Sequence, residues 1–172
     1  SDSMNNTGEW TRSVDVVVIG AGFAGANAAI AAHDAGADVL LVEKMPDAGG
    51  ISVCSAGGIR VADDARAAFD YLKRTNGDTA PDDMLSALAS GMTTVKADVQ
   101  ALADACGATV TITPSPGIYP FPGRDCFGFL MVDEVPGFDP AEFSYARSLG
   151  AGTRVFKVLL NNLVTRGIDI HV

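Results

Sequence analysis

Cationic residues are scarce in this chain. Twelve Lys and Arg stand against 21 Asp and Glu, giving a formal net charge of −9 and a pI near 4.4. Such a balance disfavours a nucleic-acid or anionic-membrane partner. Cysteine is scarce as well. Cys54, Cys106 and Cys126 are odd in number and lack Cys-x-x-Cys spacing, which argues against a disulfide framework or a zinc site. A reducing compartment follows, and a cytoplasmic location is expected. The two histidines, His33 and His171, have no metal-ligand companion nearby in sequence, so both are expected to be structural and no metal site is expected. No apolar run reaches the roughly 20 residues of a membrane helix, so no transmembrane segment is expected. The polar start, Ser1 to Ser13, has no apolar h-region and predicts no signal peptide. Met4 is read as a native start with Ser1–Ser3 added before it.

What the chain does have is glycine and apolar residues. Hydrophobic residues make up 48% of 172, enough for a core, and the length predicts one domain, or one domain plus a fragment. The 19 glycines cluster in particular places. Val14 to Ile19 is a β-branched run without alternation, which predicts a strand buried on both faces of a parallel sheet. Gly20, Gly22 and Gly25 follow. An Ala-rich helix over 26–35 ends at Gly36, and Asp38 to Glu43 reads as the second strand. Asp47 to Gly58 reads as a Gly/Ser-rich loop. A helix is predicted over 64–76, capped by Asp63 or Asp64. Thr79-x-x-Asp82 forms a capping-box pattern before a long helix ending near Cys106. Ala108 to Thr113 predicts a short strand. Pro114 to Pro140, with six of the eight prolines, is expected to be a long structureless stretch. An amphipathic helix over 153–166 and a strand over 168–172 complete the reading.

Gly20-Ala-Gly22-Phe23-Ala24-Gly25 is Gly-x-Gly-x-x-Gly in its full context of strand before, helix after and acid at the end of the next strand. Gly20 permits the tight turn, Gly22 lets backbone approach a pyrophosphate, and Gly25 lets helix and strand pack closely. The helix N-terminus offers free N–H groups to phosphate. Glu43 is placed to accept hydrogen bonds from ribose hydroxyls, and its charge disfavours a 2′-phosphate. A second glycine-rich segment follows at once: Gly49-Gly50-Ile51-Ser52, then Ser55-Ala56-Gly57-Gly58. Backbone laid against a cofactor larger than NAD explains it, and FAD is expected. A Gly/Ser surface loop is the alternative.

These motifs, with Glu43-Lys44, resemble the fumarate reductase/succinate dehydrogenase flavoprotein superfamily. Gly-Gly-x-Ser followed by Ser-Ala-Gly-Gly is most similar to its 3-ketosteroid dehydrogenase-like branch. Phe156-Lys-Val-Leu-Leu and Arg166-Gly-Ile-Asp-Ile resemble the family's helix and strand before the chain returns to the adenine. The resemblance implies an FAD-dependent dehydrogenase or reductase acting on carbon–carbon bonds beside a carbonyl. A 3-ketosteroid dehydrogenase-like activity, in steroid metabolism, is preferred. A fumarate reductase-like enoate or dicarboxylate reductase, and a non-catalytic FAD-binding subunit of a split flavoenzyme, are the alternatives. Family members with covalent FAD carry a histidine at the position of Ile51, so non-covalent FAD is implied. The family's C-terminal glycine motif and its arginine-bearing catalytic region are absent, so most catalytic residues are expected outside this chain.

The fold expected is α/β: a Rossmann-like FAD-binding domain with a parallel sheet at residues 1–62 and 141–172, and an inserted helical and loop segment at 63–140 that begins a cap. Three strands alone would leave the first at a sheet edge, an aggregation hazard. A second polypeptide segment is therefore expected to complete the sheet and the FAD site, whether in a split enzyme or a nicked one. Tyr119, in a Pro-rich loop, is the catalytic candidate by resemblance, as acid or carbonyl-orienting donor; a packed loop tyrosine is the reading its surroundings favour. Phe121, Phe127, Phe129 and Met131 suit either an apolar substrate pocket or cap core. Arg124 is expected in solvent, and Cys54 as a structural thiol.

Overall fold

The structure, a computed structural model, describes residue 8 and residues 10–146 and 151–172. The expectations for Met4 and its neighbours lie outside the described residues. β1 (Val16–Ile19), α1 (Phe23–Asp34) and β2 (Val39–Val42) form a β-α-β unit. The strands pair in parallel, from Val16 opposite Val39 to Ile19 opposite Val42. β6 (Ile170–His171) pairs in parallel with the far side of β2. The order is β1-β2-β6, with β1 at the edge as its sequence context predicts.

One face of this sheet is covered by α1 and by α4 (Gly152–Thr165). Ala26, Ala29 and Ile30 of α1 join Phe156, Leu159 and Leu163 of α4 around Leu41. The expectation that β1 is buried on both faces fails. Strand side chains alternate. Val16 and Val18 pack against the core, whereas Val17 and Ile19 are 54% and 86% exposed on the other face.

A second, antiparallel sheet has the order β3-β5-β4. It comprises β3 (Ile59–Ala62), β4 (Thr109–Pro114) and β5 (Phe127–Glu134). Among the described residues β3 pairs only with β5, so the chain passes from one sheet to the other at the second glycine segment. The expected structureless stretch over 114–140 is thus corrected. It contains an eight-residue strand and two short 3-10 turns, Arg124–Cys126 and Pro140–Phe143. The prolines all lie outside β5, which leaves a proline-free apolar run able to join both neighbours. Pro114 closes β4 on the sheet edge, where a missing N–H is tolerated.

α2 (Ala65–Thr75) starts as expected, with Asp64 Oδ1 accepting from the N–H of Ala67 at 2.7 Å. α3 (Asp82–Ala105) does not use the anticipated capping box. The Thr79 hydroxyl donates instead to the Asn76 carbonyl at 2.6 Å. Asp82 accepts from Lys73 Nζ at 2.7 Å, which ties the start of α3 to the end of α2. At its other end α3 is fastened to α4. The buried Asn162 amide donates to the Leu102 carbonyl at 2.9 Å and to the Val158 carbonyl at 2.8 Å.

Candidate functional site

The first glycine segment sits where β1 turns into α1. Gly20 has φ +97°, a conformation that side chains resist. A Cβ on Gly25 would fall on the Gly20 carbonyl oxygen, so α1 and β1 meet backbone to backbone. Gly22 caps α1 without any side-chain hydrogen bond. The N–H groups of Gly22, Phe23, Ala24 and Gly25 have no acceptor among the described residues. Four orphan donors at a helix start, with the positive end of the helix dipole, form an anion cradle.

The second glycine segment lies over the first. The Gly49 N–H donates to the Ala21 carbonyl at 2.7 Å. A Cβ on Gly22 would stand 3.6 Å from both the Gly49 carbonyl oxygen and Ser52 Oγ. Gly49, with φ +113°, is buried and leads into a 3-10 turn over Gly50–Cys54. Ile51 is 85% exposed. Lys44 is exposed, and Ser52 is half-buried beside Gly22.

α4 holds the rest of the loop. Ala151 and Gly152 donate their N–H groups to the Ala56 and Ser55 carbonyls at 3.1 and 3.2 Å. Ser55 Oγ accepts from the Gly57 N–H at 3.2 Å. A Cβ on Gly57 would meet the Ala151 backbone, and one on Gly152 would lie 2.6 Å from the Ser55 carbonyl oxygen. Gly152 was not singled out from sequence. Its only signal there is a glycine opening an amphipathic helix, where cap residues usually stand. Tyr145 was missed too. Its hydroxyl donates to the Ala48 carbonyl at 2.8 Å, just before Gly49. Burial, then Asp47 and Cys54, raise the Tyr145 pKa, which keeps it a donor.

Glu43 stands at the end of β2, beside the fingerprint. Its Oε2 accepts from the Ala21 N–H at 2.8 Å and its Oε1 from the Met45 N–H at 3.0 Å. The Ala21 bond, then the Met45 bond, hold its pKa below the usual carboxylate value. The charge is thereby fixed at the mouth of the turn, and each oxygen keeps lone-pair capacity for a ligand hydroxyl.

The aromatic residues divide. Phe127 is buried with Tyr71, Ala62 and Ala89. Phe121 packs on that cluster, between Tyr71 and Tyr119. Phe129 and Met131 instead lie against Gly58, where a Cβ would be 3.2 Å from the Phe129 ring and 3.5 Å from the Met131 sulfur. Tyr119 is 52% exposed, stacks on Phe121, and donates its N–H to the Tyr71 hydroxyl at 3.0 Å. None of its hydrogen bonds or ring contacts is to the glycine segments, and its hydroxyl has no partner among the described residues. Arg124 is 3.9 Å from Asp125 and half-exposed. His33 lies beside Asp34 and His171 beside Arg12. No group of three metal-binding side chains occurs among the described residues.

A parallel β-α-β unit whose glycine turn feeds orphan helix N–H groups, with a fixed carboxylate at the next strand's end, defines a dinucleotide-binding domain of Rossmann type. Within that class the chain belongs to the FAD binding domain family, which matches residues 15–172. FAD fits the residues present: the cradle for a pyrophosphate, Glu43 at the ribose position, and the second glycine backbone for the rest of a long cofactor. The chain is 54% identical over 52 residues to the NADH:fumarate oxidoreductase of Klebsiella pneumoniae (strain 342), a match covering 30% of this chain and 6% of that protein. It is 51% identical over 49 residues to the 3-oxo-5-alpha-steroid 4-dehydrogenase of Comamonas testosteroni, covering 28% and 9%. Its fold is shared with a 3-ketosteroid delta1-dehydrogenase from Sterolibacterium denitrificans solved with 1,4-androstadiene-3,17-dione, at TM-score 0.74 and 21% identity over 94% of this chain. The chain spans 40% of that structure.

Proposed function

We propose that this chain is the cofactor-holding part of an FAD-dependent oxidoreductase acting on a carbon–carbon bond beside a carbonyl, with a ketosteroid-like substrate. The observation that carries the reading is the superposition of the two glycine segments, Gly49–Ser52 over Gly20–Gly25, at a helix start with four unpaired N–H groups. Bound FAD supplies the hydride acceptor. The chain's own residues do the rest of what is assigned here. The cradle at 22–25 binds the pyrophosphate. Glu43 orients the ribose. The backbone at Gly57 and Gly58 would let the ring approach closely, with Phe129 and Met131, which lie against Gly58, beside it. With Ile51 in place of an attaching histidine, FAD is held non-covalently. Residues 1–62 and 141–172 form the cofactor half and 63–140 the start of the cap. A second polypeptide segment adds a strand beside β1 and completes the FAD site. Tyr119 is the proton-transfer candidate by resemblance alone, since its contacts are to Tyr71 and Phe121 and not to the glycine segments.

The test is the visible spectrum of the purified protein and of the supernatant after acid precipitation. A flavin spectrum that moves wholly to the supernatant supports non-covalent FAD. Flavin left in the pellet contradicts it, and failure to take up added FAD even in the complete protein contradicts the cofactor assignment. Anaerobic bleaching of the flavin by a 3-ketosteroid supports the preferred substrate. A match of 54% over 52 residues to a fumarate oxidoreductase supports a second reading, a carboxylate-bearing enoate, alongside the similar match to a steroid dehydrogenase. Reoxidation of the reduced flavin by fumarate, without bleaching by ketosteroids, would select it.

A further inference from the structure

A cation without a counter-ion stands on β3. The Arg60 guanidinium lies over the Phe127 ring at 4.9 Å and over the Phe129 ring at 4.6 Å. Register explains the stacking, because Arg60 pairs directly with Phe129 and lies diagonal to Phe127. A guanidinium spread on aromatic faces is fixed in orientation, and its N–H donors point out from the ring edge. In this acidic chain most cations have a carboxylate partner. Arg60 has neither an ion pair nor a hydrogen bond among the described residues.

Beside Arg60 runs a groove of about 520 Å³ between β3 and α3, lined by Ile59, Leu88, Gly91, Met92 and Val95. Gly91 lies in the middle of α3, where glycine disfavours the helix. A Cβ there would meet nothing within 4 Å, so close packing does not require the glycine. Gly91 lines the groove, where a long side chain would project into its space. Ile59 and Val95 also line a second cavity of about 440 Å³ that runs on to Leu102, Val132 and Phe23. The exposed Asp98 rims both. None of the residues at 49–58 lines either space.

We propose that this groove binds an amphipathic carboxylate, with the acid head on the edge of the Arg60 guanidinium and an apolar chain laid over Gly91 toward Val95. The planar fork of Arg matches a carboxylate in two parallel hydrogen bonds. The apolar walls supply the area for a hydrocarbon tail. The apolar end of the groove is lined by none of the residues at 49–58, whereas its Arg60 end adjoins the second glycine segment through Phe129, whose ring lies against Gly58.

The experiment is calorimetric titration of the FAD-loaded protein with decanoate and, as a matched control, decylamine. Decanoate is expected to bind and decylamine to bind more weakly. Arg60→Gln should weaken decanoate about tenfold or more, the usual loss for a hydrogen bond to a charged group. Arg60→Lys, which keeps the charge and loses the fork, should fall between. Gly91→Leu fills the groove while improving the helix, so it should abolish binding with the circular dichroism and flavin spectrum unchanged. Asp98→Asn should tighten decanoate by removing a like charge. No decanoate binding, equal binding by Gly91→Leu, or preference for decylamine would overturn the proposal.

Discussion

At the residue scale, the site is made largely of what side chains would obstruct. Gly25 is the most constrained position, because its missing Cβ is the space occupied by the Gly20 carbonyl. Gly25→Ala is expected to cost about 2 kcal/mol by forcing α1 off β1, and to weaken FAD binding by displacing the cradle N–H groups. Denaturant unfolding with a flavin titration checks both. Unchanged stability would mean that helix and strand do not meet at backbone distance. Gly22 and Gly25 were legible from the motif alone, because three glycines between a β-branched strand and an Ala-rich helix have few other uses. Gly152 and Tyr145 were not. Both act on the loop at 48–57 from about a hundred residues away, and no local pattern marks a glycine or tyrosine whose partner is so distant.

At the element scale, α4 is held to its neighbours by polar contacts at its C-terminal end. Arg166 grips Asp34 at the end of α1 with two bonds, Nε to Oδ1 at 2.6 Å and a terminal nitrogen to Oδ2 at 2.9 Å. Those bonds, then the one from His33, lower the Asp34 pKa from 3.8 to about 2. A carboxyl group with a lowered folded-state pKa contributes stability above its unfolded pKa and loses it as pH falls through the folded one. The stability difference between wild type and Asp34→Asn should therefore be full above about pH 5 and shrink progressively as pH falls through 3.8 toward about 2. Urea titrations across that window measure it, and a pH-independent difference would refute the pairing as its source. Asn162 is 1% exposed. Its amide fills the Leu102 carbonyl, one of the orphan acceptors in the last turn of α3. Asn162→Leu should cost about 2 kcal/mol by leaving that carbonyl buried and unpaired, read as a lowered midpoint at constant slope. The helices were legible because their periodicity, caps and terminal glycines are local. β5 was not, because proline density on either side masked a proline-free run whose strand state depends on pairing with β3 and β4. The capping box failed because α3 begins at Asp82 with Pro81 at its N-cap, which leaves Thr79 outside the helix with its N–H and hydroxyl both turned back to the Asn76 carbonyl.

At the scale of the whole molecule, the parallel sheet presents an apolar edge. Val17 and Ile19 are exposed on β1, and β1 pairs on one side only among the described residues. Such an edge recruits other strands. Val17→Lys should reduce self-association of the chain, seen as a lower mass by light scattering, at little cost in unfolding free energy. Association unchanged by the lysine would place the contact elsewhere. The β-α-β unit and the edge position of β1 were both readable beforehand, since strand order follows from topology. The exposure of one β1 face was not, because a continuous apolar run looks the same whether one face or both are covered. The seating of α4 on the Ser55–Gly57 backbone has a temporal consequence. The loop is made early and its clamp about a hundred residues later, so at the usual 5–20 residues per second of translation the nascent chain carries an unsealed loop for about 5–20 seconds. Throughout that interval FAD would meet a fingerprint turn without its lid, and tight capture of the cofactor must wait until the ribosome has released helix α4.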